Sequence, residues 1–130
     1  MPSKRSLLLS AFLFLLPMAP AHAGDTATPI VELADAPTIT VDWSKGNIQS
    51  VTLVGNRTLT FSNGQKGARY VLILKQDATG SRTVTWPSSL RWPGGLPQAS
   101  ILTTTAGKTD YLTFFYNGVN YDALALSQNY

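Results

Sequence analysis

Cysteine is absent from this chain, and histidine occurs once, as His22. Without cysteine there is no disulfide framework, no thiol nucleophile and no site for lipid attachment. His22 falls in a segment expected to be removed, so the mature protein is expected to lack an imidazole as well. That excludes Ser-His and Cys-His catalysis and ordinary zinc sites. Charge is also scarce, at 13% of residues, with ten Lys and Arg against seven Asp and Glu. Long apolar runs are missing too. The longest, Leu7–Leu16, is broken only by Ser10 and is half the roughly 20 residues that a membrane-spanning helix needs.

Lys4 and Arg5, the apolar run, Pro17 and Pro20, and then Ala21-His22-Ala23 together form a secretory signal pattern, with cleavage expected after Ala23. Lys4 and Arg5 leave with it, so the mature product is nearly neutral. A neutral chain with scattered charges points away from nucleic acid and from anionic membranes. The protein is expected to be secreted or periplasmic, without stable membrane insertion. A domain of this size without disulfides must hold together by apolar burial, with or without oligomerisation.

What is present is strand pattern. Residues 24–37 carry Pro29 and Pro37 and no sustained period, and are expected to form a flexible arm with Ile30-Val31 and Leu33 as a docking segment. Thr38–Trp43 alternates, with Ile39, Val41 and Trp43 on one face. Ile48–Val54 and Arg57–Ser62 follow, the former with a bulge expected near Gln49-Ser50. Tyr70–Leu74 is a continuous apolar strand. Asp77–Gly80 then predicts a hairpin returning through Arg82–Trp86. Pro87–Pro97 reads as an ordered loop, Ile101–Thr105 as a short edge strand, and Thr109–Asn117 with Val119–Leu126 as a hairpin on Asn117-Gly118 in type I′ geometry. The sum is a single small all-β domain over residues 38–130, a β-sandwich or jelly-roll-like fold of about seven to nine short antiparallel strands.

No residues assemble into a catalytic or metal-binding motif, and no cofactor is expected. Asp42, Asp77, Asp110 and Asp122 sit mostly at turns and strand ends, where Asp caps backbone amides. A polysaccharide-cleaving enzyme would need two of them facing each other across a cleft. Ligand-binding candidates are Arg91 and Trp92 in the Gly/Pro-rich loop, with Trp86 and Lys66. A flat indole can carry a sugar ring, although Trp more often packs in a core. The aromatic C-terminal hairpin reads as a central sandwich strand buried within the monomer, or else as a face that a neighbouring subunit covers.

Asp42–Tyr130 resembles a C-terminal β-domain of bacteriophage tail-fibre-like and other virion structural proteins. The resemblance rests on Asp42-Trp43-Ser44, Gly55-Asn56-Arg57-Thr58, Gly67-Ala68-Arg69-Tyr70, Leu72–Asp77, Gly80–Pro87, Trp92-Pro93-Gly94-Gly95, Thr103–Asp110 and Tyr116–Tyr121. It implies a receptor-facing or trimer-stabilising module with no catalytic residues. The chain is expected to depart from the pattern in carrying a leader in place of a long fibrous shaft. The resulting expectation is a non-catalytic interaction module binding a surface glycan or protein. A structural, trimer-forming component is the alternative.

Overall fold

The computed structural model describes residues 26–95 and 102–130, and these form a two-sheet all-β domain. Nine strands are present among them: β1 (Ile30–Glu32), β2 (Thr38–Asp42), β3 (Ile48–Leu53), β4 (Arg57–Ser62), β5 (Arg69–Gln76), β6 (Val84–Thr85), β7 (Leu90–Arg91), β8 (Thr109–Tyr116) and β9 (Tyr121–Ser127). The larger sheet has the order β1-β3-β5-β8-β9-β7, and the smaller has β2-β4-β6. No helix among the described residues is long and apolar enough to cross a membrane.

From β1 to β6 the chain alternates between the two sheets, and within each sheet the successive strands are parallel. Ile30, Ile48 and Val71 are therefore stacked in register, as are Thr38, Thr58 and Thr85. The spacing along the chain is unequal, so no fixed period marks the stacking. Only β5–β8 and β8–β9 are antiparallel. The expected all-antiparallel, jelly-roll-like pairing is thus corrected to a mixed sandwich whose first six strands wind as a short parallel coil.

The expected hairpin between β5 and residues 82–86 is not formed. β5 pairs with β3 and β8, whereas Val84-Thr85 pairs with β4 in the opposite sheet. The reason is local. Gly80 and Ser81 both take positive φ, 70° and 60°, and Asp77 Oδ1 accepts from Gly80 N–H. The buried Gln76 amide then occupies both backbone groups of Arg82, accepting from its N–H at 3.0 Å and donating to its carbonyl at 2.9 Å. Its Nε2 also donates to the Thr103 carbonyl at 2.9 Å. A side chain thus takes the partners that a hairpin ladder would have used, and the chain leaves the sheet.

Burial follows the alternation read from the sequence. Ile39, Val41 and Trp43 face the core from one sheet side, with Leu59 beside them, while Val51, Leu53, Tyr70, Leu72, Leu74, Leu112 and Phe114 face it from the other. Gln49 is also fully buried, and its Nε2 donates to the Asp42 and Gly46 carbonyls. The irregularity expected near Gln49-Ser50 lies instead between Thr113 and Phe114, where the partner jumps from Ala125 to Ala123. The extra residue, Leu124, is exposed, and the shift returns Leu126 to the core side. Residues 102–105 form no strand, and Ile101 lies outside the described residues. Ile30–Glu32 joins the larger sheet, and Leu33 N–H donates to the Ser50 carbonyl, so the sheet reaches into the segment expected as an arm.

Replacing Gln76 by Ala leaves the Arg82 amide and two carbonyls without protein partners in a buried corner. Urea unfolding should show a loss of about 3 kcal/mol or more, since each of the three unmet polar groups costs roughly 1–3 kcal/mol. An unchanged unfolding midpoint would remove Gln76 from its role at the crossover.

Candidate functional site

The candidate residues Lys66 and Arg91 approach the turn between β8 and β9 from its two sides. Asn117 Oδ1 accepts from the N–H groups of Val119 and Asn120, and Asn117 N–H donates to the Asn120 carbonyl. Of the two central residues expected in a type I′ turn, only Gly118 has positive φ, at 98°. The connection is therefore an Asx-stabilised loop, not a two-residue hairpin. Lys66, exposed, lays its aliphatic stem beside Gly118. On the other side, Asn117 Nδ2 donates to Asp122 Oδ2 at 3.2 Å.

Asp122 also holds Arg91. Arg91 Nε donates to Oδ1 at 2.6 Å and Nη2 to Oδ2 at 2.9 Å, a two-pronged pair between adjacent parallel strands β7 and β9. The pair is accessible, with the Arg91 side chain 57% exposed. Its guanidinium holds the Asp122 carboxyl below the usual carboxylate range. Tyr121 N–H donates to the Ser89 carbonyl, fixing the two-residue β7 ladder at its start.

Arg91, Trp92, Pro93, Asp122 and Ala123 line an open notch of about 300 Å³. Trp92 packs edge-on against Trp86, with ring centroids 5.4 Å apart. Trp86 is 7% exposed and belongs to the core, so of the proposed pair only Trp92 presents itself at the notch. Trp92 Nε1 is buried and has no hydrogen-bond partner among the described residues. Of the sequence candidates, then, Arg91 and Trp92 share one site, Trp86 supports it from behind, and Lys66 lies across the β8–β9 turn. Asp122 is the member of the notch that the sequence does not mark, because nothing local joins it to Arg91.

The loop carrying Lys66 is held by tyrosines. Tyr70 Oη accepts from Gln65 N–H at 2.8 Å, and Tyr121 Oη accepts from Gly64 N–H at 3.1 Å. Tyr116 and Tyr121 stack at 4.4 Å. A Cβ on Gly64 would lie 2.5 Å from Tyr121 Oη, so the loop can approach the rings only with glycine there.

The other described aspartates have structural partners. Asp35 pairs with Arg57 at 2.6 Å and Asp77 with Arg82 at 2.9 Å. Asp110 accepts from Thr103 N–H and Asn129 N–H. Asp42 caps the 3-10 turn at Trp43–Lys45 and accepts from Ser44 and Asn63. No group of three or more potential metal-ligating side chains occurs among the described residues.

A family model described as "Putative phage tail fibre C-terminal domain" matches residues 35–121. No curated protein matches the chain.

Hydrogen bonds from Arg57, Arg82 and Arg91, respectively, lower the carboxyl pKa of Asp35, Asp77 and Asp122. A lowered folded-state value means that their stabilising contribution is fully present above the ordinary Asp value. It is lost as pH falls through the lower folded values. Denaturation midpoints followed against pH should therefore be level down to about pH 4 and decline below it. A decline that starts well above that point would show that other groups govern acid stability.

Proposed function

The chain belongs to the phage tail fibre C-terminal domain family, and on that premise we propose that it is a secreted, non-catalytic interaction module. As a member it is a virion-type structural module. In this reading it contacts a cell-surface glycan through the Arg91–Trp92 notch, with a protein receptor as the alternative ligand.

The observation that carries the reading is the notch itself: a half-buried indole and an exposed proline beside an accessible Arg–Asp pair. Its volume, about 300 Å³, suits one or two sugar rings more than the broad flat contact of a protein partner. The non-catalytic role is supported by the engagement of Asp35, Asp42, Asp77, Asp110 and Asp122 in pairs and caps that hold the fold together. Secretion is supported by the leader pattern of residues 1–23.

A second reading, structural oligomerisation, has its own observation. The outward side of the larger sheet carries Ile30, Tyr111, Leu124 and Tyr130, each at least 40% exposed, and Tyr111 packs edge-on with Tyr130. Such a face suits burial against another copy, as in a trimer.

Glycan arrays and whole-cell binding test the first reading. Arg91→Ala should abolish or strongly weaken binding, while changing stability by less than about 1 kcal/mol, the usual worth of an exposed ion pair. Trp92→Ala should also abolish binding. Binding that survives both substitutions would refute the site. Light scattering over a wide concentration range tests the second: a stable trimer is its expected outcome, and a concentration-independent monomer counts against it.

A further inference from the structure

We infer that the notch selects a neutral sugar ring over an acidic one, an inference that rests on the reading of the notch as a glycan contact. The argument is one of charge and unfilled hydrogen-bonding capacity. An unpaired arginine at a binding surface would favour uronic or sialic acids, because a guanidinium matches a carboxylate in two-pronged geometry. Arg91 is already matched. Its Nε/Nη2 edge is taken by Asp122, at 2.6 and 2.9 Å, and the pair carries no net charge. A ligand carboxylate that reached the remaining N–H groups would meet a charge already neutralised and would lie close to the Asp122 carboxylate, which repels it.

The pair retains polar capacity of both kinds. An ionised carboxylate offers about four acceptor positions and a guanidinium five donors. Asp122 accepts three bonds, from Arg91 Nε, Arg91 Nη2 and Asn117 Nδ2. One acceptor position therefore remains beside the unused Arg91 N–H groups. An acceptor next to donors is the complement of two neighbouring hydroxyls, each of which can both give and receive a hydrogen bond. Beside the pair, Trp92 and Pro93 supply apolar surface suited to the C–H face of a sugar ring. The nearby cation Lys66, which has no ion pair among the described residues, lies across the turn beside Gly118 and does not line the notch.

The test uses the ¹⁵N-labelled protein and matched oligosaccharides ending in glucose or in glucuronate. The chain has three tryptophans, so the indole N–H signals report separately on Trp92, on Trp86 behind it and on the core residue Trp43. The glucose-ended ligand should move the Trp92 signal and leave Trp43 in place, with an affinity at least tenfold above its glucuronate counterpart. Asp122→Asn frees the Arg91 charge and should reverse that preference, with the Trp43 signal confirming an intact fold. If the glucuronate-ended ligand binds the native protein as well or better through Trp92, the charge argument is overturned while the glycan site stands. If neither moves Trp92, and a wider array of neutral and acidic glycans gives the same result, the site assignment itself fails.

Discussion

The buried amide of Gln76 is the interaction on which the winding of this domain depends. Parallel strands cannot be joined by a tight turn, so every connection among β1 to β6 must cross from one sheet to the other. Each crossing exposes backbone groups at a corner that the core would otherwise leave dry. Gln76 meets both backbone groups of Arg82 and one of Thr103, and Gln49 meets the Asp42 and Gly46 carbonyls at the corner below β3. Both glutamines occupy inward strand positions where an apolar residue would bury as well. An apolar side chain could not direct the chain into the opposite sheet, because it could not satisfy the corner. The Arg82–Asp77 pair then closes the same loop from its outer side.

The aromatic cluster serves the other end of the strands. Trp43 stacks on Tyr70 at 4.5 Å, and Phe61 meets Trp43, Phe114 and Tyr121 edge-on. These rings tie the two sheets together across the core. Their hydroxyls do a second task, since Tyr70 and Tyr121 accept from the backbone of Gly64-Gln65. The loop beside the candidate site is thus anchored to the core by the same residues that pack it. A domain with no disulfide can hold a loop in place this way, because a tyrosine joins apolar burial to a polar tip.

Much of this was legible in the sequence, and the missing part has a common cause. The alternation at Thr38–Trp43 marks the inward face correctly, because period two needs only local information. Tyr70–Leu74 was rightly a central strand. Its partners were misread, because Asp77–Gly80 has hairpin composition whether the chain returns beside β5 or crosses over. The deciding contacts, from Gln76 to Arg82 and Thr103, become visible only in three dimensions. Leu124 hides its bulge in the same way, since nothing in YDALALS marks which residue is extra. The site was half legible. Arg91 and Trp92 stood out by their loop, whereas Asp122 is joined to Arg91 only by the parallel pairing of β7 with β9.

That pairing explains why the candidate site should be well defined although its ion pair contributes little to stability. β7 is two residues long, and an exposed Arg–Asp pair gives at most about 1 kcal/mol. The edge is nevertheless fixed from several sides. Leu90 is 2% exposed and packs in the core, Tyr121 N–H bonds the Ser89 carbonyl, and Trp86 backs Trp92. Arg91 therefore emerges from a segment positioned by its neighbours, and the guanidinium meets a carboxylate already oriented by Asn117. The fold holds the polar groups of the notch in place, so the proposed glycan contact would leave little ordering cost for binding. A shallow surface notch with few contacts can be selective only on that condition.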